Sequence, residues 1–109
     1  VIKITKIDVA PNPRVATANS EKEYRDSIFD SFLSYSGDHL SPSLNFWAAG
    51  ELLEEIEVGK PLQMERSVRN GIEFPGTFHT SVVTEIGDGW FRTNNSVYKI
   101  QEFNPHSEN

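Results

Sequence analysis

The run Arg92-Thr93-Asn94-Asn95-Ser96 is unusually polar for a segment whose neighbours alternate like a strand. Amides and hydroxyls of this kind read base edges or a ribose, and arginine forks onto phosphate. Trp90, Phe91 and Tyr98 flank the run with rings on which a flat base stacks. Such a bed suits a nucleotide. The same residues also fit a bulge or sheet edge, where asparagines hydrogen-bond neighbouring main chain. Taking Gly87-Asp88-Gly89 as a three-residue loop sets Ile86 opposite Trp90. Period-two counting then pairs Thr84 with Arg92, Val82 with Asn94, Thr80 with Ser96 and Phe78 with Tyr98. The other face pairs Val83 with Thr93. Thr80 thereby joins the polar patch.

Two further arginines are candidates for a ligand phosphate. Arg66 shares parity with Leu62, Met64 and Val68, so it points towards an apolar face, where a cation needs a partner. A salt bridge or a snorkelling side chain meets that need equally well. Arg69 stands beside the Asn70-Gly71 turn, an ordinary place for an exposed arginine.

Catalytic and metal chemistry find less support. The three histidines, His39, His79 and His106, show neither H-x-x-x-H nor H-x-H spacing, and there is no cysteine. No nucleophile-elbow or P-loop motif occurs. The expectation is a binding protein, not an enzyme, with no cofactor.

The elements that must position these residues begin with a strand over 2–9. Ile2 and Ile4 share one parity and Ile7 and Val9 the other, so a bulge is expected near Lys6. Ser20 and Glu23 have capping-box spacing before a helix with Tyr24, Ile28, Phe29, Phe32, Leu33 and Tyr35 as its apolar stripe, and Gly37 as its stop. Ser41-Pro42 predicts a second helix to Gly59, burying Leu44, Trp47, Ala48, Leu52 and Ile56. Strands follow over 62–69, from Ile72 to a break at Pro75-Gly76, over 77–86, and from Trp90 to about Phe103. The predicted fold is α+β: a small antiparallel sheet of about four or five strands with two helices packed on one face, in a single domain over 1–109.

The net charge of −6 is unevenly spread. Nine acids from Glu21 to Glu57 face only Lys22 and Arg25, whereas the stretch after Lys60 is near neutral. An acidic surface opposes direct nucleic-acid binding, so a nucleotide site needs a local positive patch. The acidic stretch is a solvated face or, alternatively, the working surface of a protein–protein inhibitor such as an anti-CRISPR or nuclease inhibitor. No apolar run of membrane length and no signal peptide is visible, so no membrane partner is expected, and the absence of cysteine fits a cytoplasmic location.

The segment Gly76-Thr77-Phe78-His79-Thr80-Ser81-Val82-Val83, continued by Thr93-Asn94-Asn95-Ser96-Val97-Tyr98, resembles a pattern near the C-terminus of small phage-encoded proteins. Some of these are similar to the anti-Thoeris nucleotide sponges. That resemblance implies a non-enzymatic homo-oligomer that sequesters a nucleotide immune signal, a cyclic ADP-ribose isomer or cyclic oligonucleotide, in the host cytoplasm. On this reading Phe91 and Tyr98 stack on the base. Thr80, Asn94, Asn95 and Ser96 hydrogen-bond it or its ribose. Arg66, Arg69 or Arg92 neutralises phosphate.

Overall fold

The structure is a computed structural model that describes residues 1–35 and 39–104. The element order is β1 (Ile2–Val9), α1 (Glu21–Ser34), β2 (Trp47–Leu52), β3 (Pro61–Arg69), β4 (Ile72–Gly87), β5 (Trp90–Thr93) and β6 (Ser96–Glu102). Each strand pairs antiparallel with the next, and β6 returns to pair with β1, so the sheet closes into a six-stranded barrel. This overturns the expected open α+β sheet flanked by two helices. A small barrel fills its interior with inward side chains. Here Ile4, Leu62, Met64, Phe78, Val83, Phe91 and Tyr98 do so.

The second expected helix is absent, and β2 stands in its place. Its alanines, leucine and glutamates favour a helix only weakly, by tenths of a kcal/mol each. Pairing on both sides, with β1 and with β3, overrides that preference. Ala48, Ala49 and Gly50 are all buried, so the strand shows no alternation to betray it. A β-carbon on Gly50 would lie 2.1 Å from the Glu65 carbonyl oxygen, so only glycine lets β2 approach β3 here. Ser41, expected to cap a helix, bridges to Thr17 instead. The acidic face expected on the second helix is therefore absent, whereas α1 carries Glu21, Glu23, Asp26 and Asp30. Glu51 lies on β2, while Glu54 and Glu57 sit beyond it beside Lys60.

The first helix forms as its cap signal predicts. The Ser20 hydroxyl accepts from the Glu23 N–H at 3.1 Å, and the Glu23 carboxylate accepts from the Asn19 N–H at 2.6 Å. The helix ends at Tyr35 in the left-handed conformation, φ 58°. Gly37, the expected stop, lies outside the described residues. Only part of the expected stripe is buried. Tyr24 packs edge-on against Phe46 and Ile28 joins the core, whereas Phe29, Phe32, Leu33 and Tyr35 are exposed.

Bulges explain the remaining differences. The β1 register shifts between Lys6 and Asp8, where the change of parity predicts it. In β3 a shift between Arg66 and Val68 turns Arg69 inward, so Arg69 is buried and not exposed. Pro75-Gly76 does not break β4, which runs through it with Gly76 at φ 145°. Asn70-Gly71 forms the expected tight turn, both residues with positive φ. Asp88-Gly89 makes a two-residue turn, so Gly87 faces Trp90 and Ile86 faces Phe91, one residue off the expected register. A shift between Val83 and Glu85 then restores the predicted Val83–Thr93 pair. Asn94 and Asn95 separate β5 from β6, so the predicted single last strand is two.

Candidate functional site

A cavity of about 530 Å³ opens between the barrel and the segments that cross it. Its walls come from Arg14 and Val15, from Tyr24 and Ile28 of α1, from the segment 39–42, from Arg66, and from β4 over 77–82. Asn94, Asn95, Ser96 and Tyr98 line the β5–β6 side. Among the described residues the lining carries two arginines and two histidines and no carboxylate. On a chain of net charge −6, that is a local positive patch.

Six of the nine residues singled out from sequence meet at this cavity: Arg66, Thr80, Asn94, Asn95, Ser96 and Tyr98. Arg66 reaches it from β3 because the Pro75-Gly76 bulge leaves room. A β-carbon on Gly76 would stand 3.2 Å from an Arg66 Nη atom. Arg66 Nε donates to the Phe74 carbonyl at 2.8 Å and its guanidinium lies over the Phe74 ring. No carboxylate forms an ion pair with Arg66 among the described residues. Burial, then the nearby Arg69 charge, lower its pKa.

The other three lie elsewhere. Phe91 is fully buried inside the barrel, stacked on Tyr98 at 5.1 Å, and offers no face to a ligand. Arg92 pairs with Glu85. Arg69 is enclosed by Tyr24, Phe46 and Phe74, 2.8 Å from Glu21 Oε2. Glu21 Oε1 also accepts from the Asn70 amide at 2.8 Å, so this cluster fastens the start of α1 to the β3–β4 turn.

The two asparagines divide their labour. The Asn95 side-chain oxygen accepts from the main-chain N–H groups of Arg14, at 2.7 Å, and Val15, at 3.2 Å. It holds the cavity mouth in shape and is not free to read a base. The Asn94 carboxamide makes no hydrogen bond among the described residues and lines the cavity. Its main-chain N–H is fixed to the Val82 carbonyl. Thr80 accepts from the Leu62 N–H and donates to the Ser81 carbonyl, so its hydroxyl is already partnered.

Sequence reasoning missed Lys6. It follows Ile2 and Ile4 at period two, which sets it on their inward face just ahead of the bulge. Lys6 is fully buried. Its Nζ donates to the hydroxyls of Thr17 and Ser41, each at 2.9 Å. Ser41 Oγ lies 3.0 Å from Ser96 Oγ, and both serines line the cavity. Burial lowers the Lys6 pKa to about 8. Burial pushes the Tyr98 phenol up, partly offset by a hydrogen bond with Ser96.

His39 and His79 stand at the same cavity on different elements. Among the described residues no group of three or more histidines and carboxylates is placed to hold a metal ion. No helix among them is long and apolar enough to cross a membrane. The chain matches no protein-family model, no curated protein and no solved structure.

Proposed function

We propose that the protein binds and sequesters a small anionic ligand of the nucleotide type in this cavity, without turning it over. The observation that carries the reading is a cationic, hydroxyl-lined cavity with no carboxylate among its described residues, in an acidic chain. Its volume suits a ligand of drug or nucleotide size. Arg66 offers a planar fork to phosphate, Asn94 an amide with no partner among the described residues to a base or ribose, and the serines their hydroxyls. The ring next to the ligand is Tyr98, with His79 at the rim in place of Phe91. The resemblance of the 76–98 segment to the anti-Thoeris sponges favours a cyclic ADP-ribose isomer or cyclic oligonucleotide, and a role for the protein in anti-defence.

A homo-oligomer belongs to this reading. Phe29, Phe32 and Leu33 recur at helical spacing on α1 and lie in solvent, beside the helical residues that wall the cavity. Exposed apolar patches of this kind mark association surfaces.

The test is direct. The protein is incubated with cyclic ADP-ribose isomers, cyclic dinucleotides and trinucleotides, separated from free ligand, and then heated. Intact ligand recovered by chromatography only after heating, and lost from Arg66→Ala, is expected. A converted product would replace sequestration with catalysis. No depletion of any compound would overturn the proposal.

A further inference from the structure

The cavity floor holds a charge that the barrel itself does not neutralise. Lys6 is sealed from solvent, and no carboxylate forms an ion pair with it among the described residues. Buried ammonium groups are ordinarily paired, because desolvating an unpaired one costs several kcal/mol. Here two neutral hydroxyls take its protons. A hydroxyl that accepts from an ammonium is polarised and donates more strongly onward. Ser41 Oγ lies 3.0 Å from Ser96 Oγ and both serines line the cavity, so a ligand oxygen there competes with the Tyr98 phenol for the remaining hydroxyl proton of the pair.

We propose that Lys6, acting through Ser41 and Ser96, makes the cavity floor a receiving site for an anionic oxygen of the ligand, a phosphoryl or carboxylate oxygen. The proposal rests on the reading of the cavity as a ligand site and deepens it. Arg66 then holds the ligand from the wall, while the floor accepts a second acidic oxygen. An anion there supplies the counter-charge that Lys6 lacks. Among the described residues the titratable and charged groups around the same cavity are Arg14, Tyr24, His39, Arg66, His79 and Tyr98, none of them a carboxylate.

A serine–lysine nucleophile has similar spacing, but the surroundings argue against it. The Ser41 N–H is taken by the Ala16 carbonyl at 2.8 Å, and the next residue is Pro42, which has no N–H. The main-chain donors that would stabilise an oxyanion beside the nucleophile are therefore missing.

The experiment follows the Lys6 ammonium by nitrogen-detected NMR in the full chain while pyrophosphate and, separately, acetate are added. A saturable shift of Lys6 Nζ is expected, with its titration midpoint rising by at least one pH unit when the anion is bound. Pyrophosphate affinity falls about tenfold as the pH rises through that range in the native chain, and Lys6→Met removes this pH dependence. The double variant Ser41→Ala, Ser96→Ala, which keeps the lysine, should weaken pyrophosphate binding by a similar factor. Binding that depends on Arg66 but leaves the Lys6 signal and midpoint unmoved would overturn the floor site while sparing the cavity reading. Loss of all anion binding in the native chain would overturn both.

Discussion

Two buried cations lie on the same barrel and are treated in opposite ways. Arg69 has a carboxylate at 2.8 Å and three aromatic rings around its guanidinium. Lys6 has two hydroxyls. The first arrangement answers the charge, although Nε and Nη2 of Arg69 lack a hydrogen-bond partner among the described residues, and it fastens α1 to the β3–β4 turn. The second leaves a charge without an ion-pair partner among the described residues, behind an open cavity. Burial alone does not separate these two cations; the counter-ion that only Arg69 has among the described residues does.

This contrast can be broken by mutation and pH. The largest effect is expected at Glu21→Ala, which strands Arg69 without its partner and releases Asn70. A loss of about 3 kcal/mol in denaturant unfolding follows from removing one member of a buried pair, taken at the low end because Glu21 is partly exposed. A loss below about 1 kcal/mol would show that the aromatic rings alone hold Arg69.

The pH dependence of stability comes next. Lys6 is lowered to about 8 in the folded chain from 10.5. Between these values the unfolded chain holds a proton that the folded chain has released, so stability rises with pH. The gain should reach about 2 kcal/mol between pH 8 and 9.5, and should vanish in Lys6→Met. Tyr24 and Tyr98, both raised by burial, act in the opposite sense above pH 10, so the difference between native and variant is the measurement to take. A native curve that is flat from pH 8 to 9.5 would mean that Lys6 is not desolvated.

At pH 7 the same Lys6→Met substitution should raise stability by about 1 kcal/mol, because it removes an unpaired buried charge while sacrificing two hydrogen bonds. Destabilisation by more than that would make Lys6 a structural strut. The smallest effect is expected at Glu85→Gln. The pair that it breaks with Arg92 is solvent-accessible, so unfolding should shift by less than about 0.5 kcal/mol.

Much of the local structure was legible because its signals are short-range. The Ser20 cap, the Asn70-Gly71 turn and the bulge after Lys6 each depend on a few consecutive residues. The β2 strand was not legible, because Ala48-Ala49-Gly50 carries no period-two pattern and its conformation is imposed by β1 and β3 from outside. Six of the nine residues that the polar run and its neighbours offer meet at one cavity. Arg69 and Phe91 were misplaced for different reasons. The register shift between Arg66 and Val68, opposite Pro75-Gly76 where a strand break and not a bulge is expected, turns Arg69 inward. Closure of the sheet placed Phe91 on the inner wall, where an open sheet would have left it a free face.

Closure also bears on how copies of this chain could meet. Although β6 returns to β1, β4 pairs over 72–82 with β3 alone, so that stretch keeps one side that no named strand covers. In the proposed homo-oligomer the exposed phenylalanines of α1 supply the grip. Contacts of that kind are reversible and dilute apart, so the population of paired molecules would track protein concentration.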